Sequence, residues 1–320
     1  MIRRLVCLLL ALLCALPSCL AEEPAVSFPE PDSAVVYPPE EFEFLKRVYA
    51  AGEKKIASYE SETVSYLIES FNMEGTKCIL TRVWVQDPAR QFRKANAEWG
   101  AGLANVKDLG RKVKGAVLVT NASGYITKGY PDVPANYPGS PSDYYNTTLG
   151  SLVITDGEIL RELEGVPFCG LALSEEGISM YRGADNSFVL ATNPTQTWAF
   201  FEVCAMQENG TDLLPEEKDL VTDKDKELVK MKHARTVLAM INRNNYVFLH
   251  IPYGTAYRGM NLYRINEFFF EHFDAEWVYN LDGGYSSSLY YCNQPQKKNA
   301  ALTLVVPHTQ KVADVLCITE

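Results

Sequence analysis

The residues best suited to chemistry lie in one short run near the end of the sequence, residues 280–288. The run reads NLDGGYSSS, so one carboxylate is followed by two glycines and three serines. Glycine accepts positive φ and lets backbone N–H groups approach a ligand without a Cβ in the way. The run is thus a compact polar site for phosphate or sugar oxygens, although an ordinary Asp-Gly turn with exposed serines fits the same letters. Its candidate site residues are Asn280, Asp282, Gly283, Gly284, Ser286 and Ser287.

Buried strands are predicted to position these polar residues. Residues 277–281 form an apolar run that predicts a strand ending at the Asp282 turn. Residues 115–120 predict a fully buried strand that presents Asn121 at its end. Two further runs, 237–241 and 246–251, bracket the letters NRNN and predict a hairpin.

A second hairpin is predicted from residues 63–71 and 77–85, which are rich in β-branched and aromatic residues around a Met-Glu-Gly-Thr turn. Alternation along its second strand puts Ile79 and Val83 on one face. Arg82 then lies on the opposite face. It is either a solvated or salt-bridged strand residue or a member of the site.

The segment at residues 121–150 is dense in Gly, Pro, Asn and Ser and contains five tyrosines. A long structureless segment inside a compact domain is usually either functional or disordered. The aromatic content favours an ordered loop that covers a pocket.

Two helices and several short strands complete the predicted elements. Residues 222–233 predict a charged helix with a Thr or Asp cap, and Asn261 caps a helix whose buried stripe includes Ile265 and Phe269. Short strands are predicted within residues 151–155, 170–173, 188–191 and 198–204. This alternation predicts the α+β class, with a mixed β-sheet core, flanking helices and a single catalytic domain.

The first residues predict export. Residues 1–21 combine two arginines, an apolar run too short to span a bilayer and small residues before Glu22, which is the layout of a signal peptide. An alternative is a lipoprotein anchored at Cys19. Residues 22–39 contain five prolines and predict a flexible tether. Residues 40–62 predict an N-terminal helix packed on a main domain at residues 63–320.

Composition, charge and the absence of certain motifs exclude several classes of function. The formal charge of −10 argues against nucleic acid as a partner, and no apolar run after the signal is long enough for a membrane helix. The five cysteines beyond residue 21 form no CxxC pair, so a zinc knuckle is excluded, whereas disulfides and free thiols both stay open. The histidines lack metalloenzyme spacing, and no GxSxG motif occurs.

Five segments in order resemble the phosphodiester glycosidase family. The run at residues 280–291 is similar to the family signature NLDGGGSSTL, with Tyr285 in place of the third glycine and Ser288 in place of the threonine. Residues 81–88, 119–125, 154–157 and 234–239 also resemble family segments, and His233 stands where proline is usual. The resemblance extends over residues 63–320.

The resemblance implies an exported hydrolase that cleaves the glycosidic bond of a sugar-1-phosphodiester. It implies that Asp282 acts as nucleophile, general base or electrostatic stabiliser, and that the Arg235 guanidinium grips phosphate oxygens through two hydrogen bonds. Asn121 and Ser286 would orient sugar or phosphate, and the N–H groups of Gly283 and Gly284 could hold an oxygen. The implied partner is a carbohydrate phosphodiester.

Two questions stay open at this point. A divalent cation, calcium or magnesium, could be held by Asp282 or Asp156. Tyr285 could strain or crowd the site if the family glycine uses positive φ.

The alternative function is a non-catalytic surface glycan-binding protein that keeps the fold, and turnover that depends on Asp282 and Arg235 would separate the two functions.

Overall fold

The structure, a computed structural model, describes residues 54–127, 138, 140–254, 259–297, 300–307 and 310–320. The predicted signal peptide, the tether and residues 40–53 of the predicted N-terminal helix lie outside these residues. Strand β1 (Lys54–Glu60) replaces the end of that helix. The prediction of a helix over residues 40–62 is therefore wrong here, because β1 pairs with β2 (Val64–Met73) through a bulge at Lys55/Ala57 that disturbs the two-residue alternation.

An eight-stranded antiparallel sheet carries most of the site. Its strands, in sheet order, are β1, β2, β3 (Thr76–Val85), β14 (Asn245–Ile251), β13 (Arg235–Asn242), β15 (Trp277–Asn280), β11 (Ala205–Glu208) and β12 (Thr211–Asp212). Both predicted hairpins are present, as the pairs β2–β3 and β13–β14. The strand predicted before Asp282 is β15.

A five-stranded antiparallel sheet faces it. The order is β17 (Thr303–Val306), β16 (Leu289–Tyr291), β5 (Ala116–Asn121), β18 (Asp314–Thr319) and β4 (Phe92–Asn96). Every residue of β5 is buried, as the apolar run predicts. Strand β4 is at the edge, where β18 is its sheet neighbour.

The alternation along the strands explains this layering. Ile79 and Val83 of β3 join a core with Leu118 and Leu316 of the five-stranded sheet. Leu80, on the opposite face of β3, joins a second core with α5 (Leu262–His272), and Val229 of α4 (Asp223–Lys230) belongs to the same core. The eight-stranded sheet is thus buried on both faces.

Both helices begin as the sequence predicts. The Thr222 side chain caps α4 in a capping box with Asp225, and the Asn261 side chain accepts a hydrogen bond from the Arg264 N–H at the start of α5. The predicted stripe of α5 is buried at Ile265 and Phe269.

A smaller group of strands covers one side. It contains a three-stranded sheet and a two-stranded sheet. Helix α3 (Asn186–Leu190) occupies most of residues 188–191, so the strand predicted there is wrong: the Asp185 side chain accepts from the Ser187 N–H and starts a helical turn instead. The remaining strands and α-helices are β6 (Leu152–Thr155), β7 (Glu158–Glu162), β8 (Phe168–Ser174), β9 (Gly177–Ala184), β10 (Gln196–Ala199), α1 (Pro88–Gln91) and α2 (Val106–Gly110).

A buried ion pair ties this group to the five-stranded sheet. Lys94 Nζ lies 3.1 Å from Asp314 Oδ2 and donates to the carbonyl of Thr197 at 2.6 Å. The same carboxylate accepts from the Ser123 N–H at 2.8 Å and from its hydroxyl at 2.7 Å. Burial lowers the pKa of Lys94, and the adjacent Asp314 charge opposes that change. The segment after β5 is thereby fixed before it reaches the site.

The α+β class is confirmed. The predicted mixed sheet is wrong for the described strands: their pairs are antiparallel, because tight turns join neighbours such as β2 and β3, and the bridge between Ile126 and Tyr145 is an isolated parallel one. The helices in the described part of the chain are too short or too polar to cross a bilayer. The five cysteines found there are free thiols: Cys78, Cys169, Cys204, Cys292 and Cys317.

Candidate active site

The turn that carries Asp282 is bonded to both large sheets. The N–H of Leu281 donates to Thr236 O at 2.8 Å, and the N–H of Gly284 donates to Ala234 O at 2.8 Å. Between them, the N–H of Asp282 donates to Ala122 O, just beyond β5, at 2.9 Å. The backbone of Asp282 is therefore held between the start of β13 and the end of β5.

The two glycines serve different purposes. Gly284 has φ +63°, which a residue with a side chain adopts only with strain. Gly283 has φ −136°, but a Cβ there would lie 2.6 Å from the Ala234 carbonyl oxygen. Since the Gly284 N–H already bonds Ala234, only the Gly283 N–H lacks an acceptor within the described residues. The prediction that both N–H groups hold a ligand oxygen is thus wrong for Gly284.

Asn121 lies beneath the turn and is completely buried. Its Nδ2 donates to the Asp282 carbonyl at 2.6 Å. Its Oδ1 accepts from the Thr236 hydroxyl at 3.0 Å and from the Ser288 N–H at 3.0 Å. The predicted contact with sugar or phosphate is therefore not available to this side chain, which instead fixes the backbone on both sides of Asp282.

The serines of the turn are buried, and only Ser286 lines the cleft among them. Ser286 Oγ lies 3.0 Å from the Tyr125 hydroxyl, whose proton goes to the Lys311 carbonyl at 2.6 Å, so Ser286 is the donor of this pair. Ser287 is buried, with its hydroxyl 3.1 Å from that of Thr236. Ser286 therefore faces the site, whereas Ser287 supports the turn from below.

Arg235 begins β13 beside the turn. Its Nη2 donates to Leu228 O at 2.7 Å and to Met231 O at 2.9 Å, and its Nε donates to Met260 O at 3.2 Å. These bonds end helix α4, and burial lowers the pKa of Arg235 to about 10. Only Nη1 donates to no described residue, so the predicted two-pronged grip on phosphate is not available in this conformation.

Two predicted residues lie elsewhere. Arg82 is buried on the helix side of β3 in an ion pair with Glu69 of the neighbouring strand. Asn280 is buried too, with Nδ2 donating to the Cys204 sulfur at 3.6 Å and Oδ1 unbonded among the residues described. Of the two interpretations of Arg82, the salt-bridged strand residue agrees with this placement.

An open cleft of about 470 Å³ lies over the Asp282 turn. Of the predicted site residues, those lining it are Arg235, Asp282, Gly283, Gly284 and Ser286. The predicted residues outside its lining are Arg82, Asn121, Asn280 and Ser287. Tyr125, from the segment predicted to cover a pocket, also lines it. Burial and the nearby Asp282 carboxylate raise the pKa of the Tyr125 hydroxyl.

The cleft contains charged residues that the sequence analysis missed. Glu227 on α4 supplies a second carboxylate, and Lys232 supplies a second cation. The charge of Glu227 raises the pKa of the Arg235 guanidinium, against the lowering caused by burial. Both lie some 50 residues before Asp282. In the sequence they appear only as charged residues at the end of a predicted helix. Solvent-exposed helices in general share this pattern, so it does not mark a site.

The family model for phosphodiester glycosidases matches residues 114–319, about two thirds of the chain. The chain belongs to the phosphodiester glycosidase family. Among curated proteins, none matches it in sequence. The catalytic domain of zebrafish N-acetylglucosamine-1-phosphodiester alpha-N-acetylglucosaminidase, auto-inhibited by its pro-peptide, is similar in fold, with a TM-score of 0.57 and 15% identity over 87% of this chain and 92% of that one.

A hypothetical protein from Synechocystis is also similar in fold, with a TM-score of 0.50 and 13% identity. The match covers 84% of this chain and 64% of that one. Four of the five segments that resemble the phosphodiester glycosidase family fall inside the matched residues, and residues 81–88 precede them.

The departures from the family pattern fit the backbone. The φ of Tyr285 is not positive, so the backbone at this position does not require glycine. His233 stands where the pattern has proline, and its N–H donates to Met260 O at 3.2 Å, a bond that proline could not make. Tyr285 therefore brings no backbone strain, and its side chain lines the cleft.

The residues that the structure describes assemble no metal centre. No group of three His, Cys, Asp or Glu side chains suited to a metal ion occurs in the described ranges. Asp156 lies in the β6–β7 turn at φ +50° and accepts a hydrogen bond from Gln196 Nε2 at 2.7 Å. Neither Asp282 nor Asp156, the residues predicted to hold calcium or magnesium, therefore belongs to a group of three such side chains among the described residues.

Proposed function

We propose that this chain hydrolyses the glycosidic bond of a sugar-1-phosphodiester in the cleft over Asp282. The observation that carries the proposal is the joint presence in that cleft of two carboxylates, Asp282 and Glu227, and two cations, Lys232 and Arg235. Glycoside hydrolysis uses a pair of carboxylates. A phosphodiester leaving group additionally needs positive charge to receive it.

The roles follow from how each residue is held. The Asp282 backbone is bonded on both sides, so its carboxylate can stabilise positive charge on the anomeric carbon as the bond to the phosphate oxygen breaks. Water adds to that carbon, and its proton passes to a carboxylate, for which Glu227 is the candidate. The phosphate leaves as a stable anion and needs no proton donor.

Lys232 is the candidate ligand for the departing phosphate. It is exposed at the cleft, whereas three of the Arg235 hydrogen bonds go to backbone carbonyls. A flexible ammonium can follow a moving phosphate oxygen. Arg235 adds a fixed positive charge near the same place.

Export is part of the proposal. Residues 1–21 would be removed as a signal peptide, and residues 22–39 would tether the enzyme, which would be secreted or held at the cell surface. N-terminal sequencing of the mature protein tests this. A mature chain that begins at Glu22 supports cleavage at Ala21, a lipid-modified Cys19 supports the anchored form, and a retained Met1 contradicts export.

The activity is tested with a panel of sugar-1-phosphodiesters, including UDP-N-acetylglucosamine and N-acetylglucosamine-1-phospho-mannose, with and without calcium or magnesium. Wild type should release free sugar, and Asp282→Asn should lower kcat at least about a hundredfold. Lys232→Ala should lower kcat/KM. Asp274→Asn is the matched control, because Asp274 is exposed and outside the cleft.

The panel also separates the enzyme from a glycan-binding protein. Calorimetry with the same diesters would show binding without turnover if the fold had lost catalysis. Equal rates for wild type and Asp282→Asn would remove Asp282 from the mechanism.

A further inference from the structure

A chain of two hydroxyl groups ends at Ser286 in the wall of the cleft. The Tyr125 hydroxyl donates to the Lys311 carbonyl oxygen at 2.6 Å, and Ser286 Oγ lies 3.0 Å from the Tyr125 oxygen. A carbonyl oxygen can only accept, and each hydroxyl has a single proton to donate. The Tyr125 proton is therefore held by Lys311, and the Ser286 proton is held by Tyr125.

This direction of the protons decides what Ser286 can bind. Ser286 is buried and lines the cleft, and its Oγ presents lone pairs there but no proton. The charged oxygens of a phosphodiester have no proton either, so next to Ser286 they would form a pair of two acceptors. Ser286 therefore binds a group that brings its own proton.

Ser286 and the cations approach the Asp282 turn from different parts of the fold. Tyr125 follows β5 and Lys311 precedes β18, and both strands belong to the five-stranded sheet. Arg235 begins β13 of the eight-stranded sheet and bonds the end of α4. Burial and the nearby Asp282 carboxylate raise the pKa of Tyr125, so that carboxylate lies close to the hydroxyl chain. If the phosphate leaves towards the cations, water can reach the carbon from the side of Ser286.

Hydrolysis requires a water molecule whose two protons both have acceptors. The water oxygen bonds to the anomeric carbon, and the bond from that carbon to the phosphate oxygen breaks, with its electron pair leaving on the phosphate. One water proton passes to a carboxylate, for which Glu227 is the candidate, and the other stays on the new sugar hydroxyl. An acceptor for the retained proton fixes the direction of the water lone pair, which shortens the search for the reactive geometry.

We infer that Ser286 Oγ accepts the retained proton and orients the attacking water. Tyr125 acts as a positioning residue, because it keeps the Ser286 proton out of the cleft. This inference rests on the proposed function and deepens it by adding a catalytic residue to the same site. It has a chemical consequence: methanol has one hydroxyl proton, which goes to the carboxylate, so its methyl group would face Ser286 Oγ without a hydrogen bond. Wild type should therefore prefer water to methanol as the nucleophile.

The test measures this preference in aqueous methanol, with a diester of the panel that wild type hydrolyses. Mass spectrometry gives the ratio of methyl glycoside to free sugar. Ser286→Ala should raise the ratio about tenfold, the contribution of one hydrogen bond, and lower kcat while KM stays within about twofold. Tyr125→Phe should change the ratio in the same direction, because the released Ser286 proton can turn into the cleft. Ser58→Ala and Tyr181→Phe, both outside the cleft, are the matched controls and should keep the wild-type ratio.

Two outcomes would reject the role of Ser286 while the activity stands. A ratio within about twofold of wild type in Ser286→Ala, with normal thermal unfolding, would mean that Ser286 holds no water. Ser286→Thr keeps the hydroxyl and should keep the ratio, so a rise equal to that of alanine would assign the effect to packing. Failure of wild type to hydrolyse any diester would instead overturn the proposed function, and this role with it.

Binding of sulfate tests the direction of the Ser286 proton without turnover. Sulfate oxygens only accept hydrogen bonds, so a serine that presents lone pairs cannot hold them. In titration calorimetry, Lys232→Ala should weaken sulfate binding, whereas Ser286→Ala should leave it unchanged or tighten it. A loss of about fivefold or more in Ser286→Ala would show that Ser286 donates to an anion, and this would overturn the inference.

Discussion

Replacing Gly283 by alanine tests whether the start of β13 fixes the position of Asp282. The added Cβ would lie 2.6 Å from Ala234 O, and such contacts are not found below 3.0 Å, so the turn or the carbonyl must move by at least 0.4 Å. The same carbonyl accepts the Gly284 N–H at 2.8 Å, so the movement also weakens that hydrogen bond. Overpacking of this kind typically costs about 1–3 kcal/mol.

Two other glycines separate collision from backbone strain. Gly284 and Gly210 have φ +63° and +73°, and a Cβ at either would meet nothing within 4 Å. Alanine at these positions should cost about 1–2 kcal/mol through left-handed strain alone. Gly210 lies in the β11–β12 turn, away from the cleft, so Gly210→Ala controls for a loss of stability without a change in the site.

The assays are urea unfolding and diester hydrolysis at equal folded concentration. Gly283→Ala should lose stability and at least about tenfold in kcat/KM, because small displacements of a catalytic group are costly. Gly210→Ala should lose stability and keep its activity. If Gly283→Ala unfolded at the wild-type urea concentration and hydrolysed diesters normally, the close contact with Ala234 would not position Asp282.

Three further perturbations test the surroundings of the site. Asn121→Ala leaves the Thr236 hydroxyl and the Ser288 N–H without their acceptor, so the free energy of unfolding, measured with urea, should fall by about 3 kcal/mol, and a loss below about 1 kcal/mol would contradict the buried network. Burial lowers the pKa of His250 to about 3. The unfolded chain therefore binds a proton below about pH 6.5 that the folded chain excludes, and this residue should cost about 2 kcal/mol of stability between pH 7 and pH 5. His250→Gln should show a correspondingly flatter pH dependence, and an unchanged slope would refute the assignment. Burial raises the pKa of the Cys78 and Cys204 thiols to about 12, so neither should react with a thiol reagent at pH 8 until denaturant is added, as peptide mapping can check.

Local patterns predicted much of the framework. The alternation of Ile79 and Val83 against Leu80 gave β3 its two faces, which now belong to two separate cores. The caps at Thr222 and Asn261 marked two helix starts. These features depend on residues within one turn or one strand, which a sequence displays directly.

The sequence did not predict which side chains from distant parts of the chain come together. Arg82 finds its partner Glu69 only once β2 and β3 pair, and nothing in its own strand shows this. Asn121 follows a strand as predicted, yet its side chain turns beneath Asp282 rather than towards a ligand. Glu227 and Lys232 reach the cleft because the Arg235 side chain bonds the carbonyls of Leu228 and Met231 at the end of α4, a relation that spacing along the chain does not encode.

The position of β18 bears on the order in which the chain can fold as it is made. β18 is the last of the strands along the sequence, yet it lies between β5 and β4 and pairs with both. A ribosome synthesises more than 200 residues after β4 before that neighbour exists. The five-stranded sheet, and with it the segment that holds Asp282 from below, therefore closes only after β18 has left the ribosome, and β4 and β5 lack their shared neighbour during all the intervening synthesis.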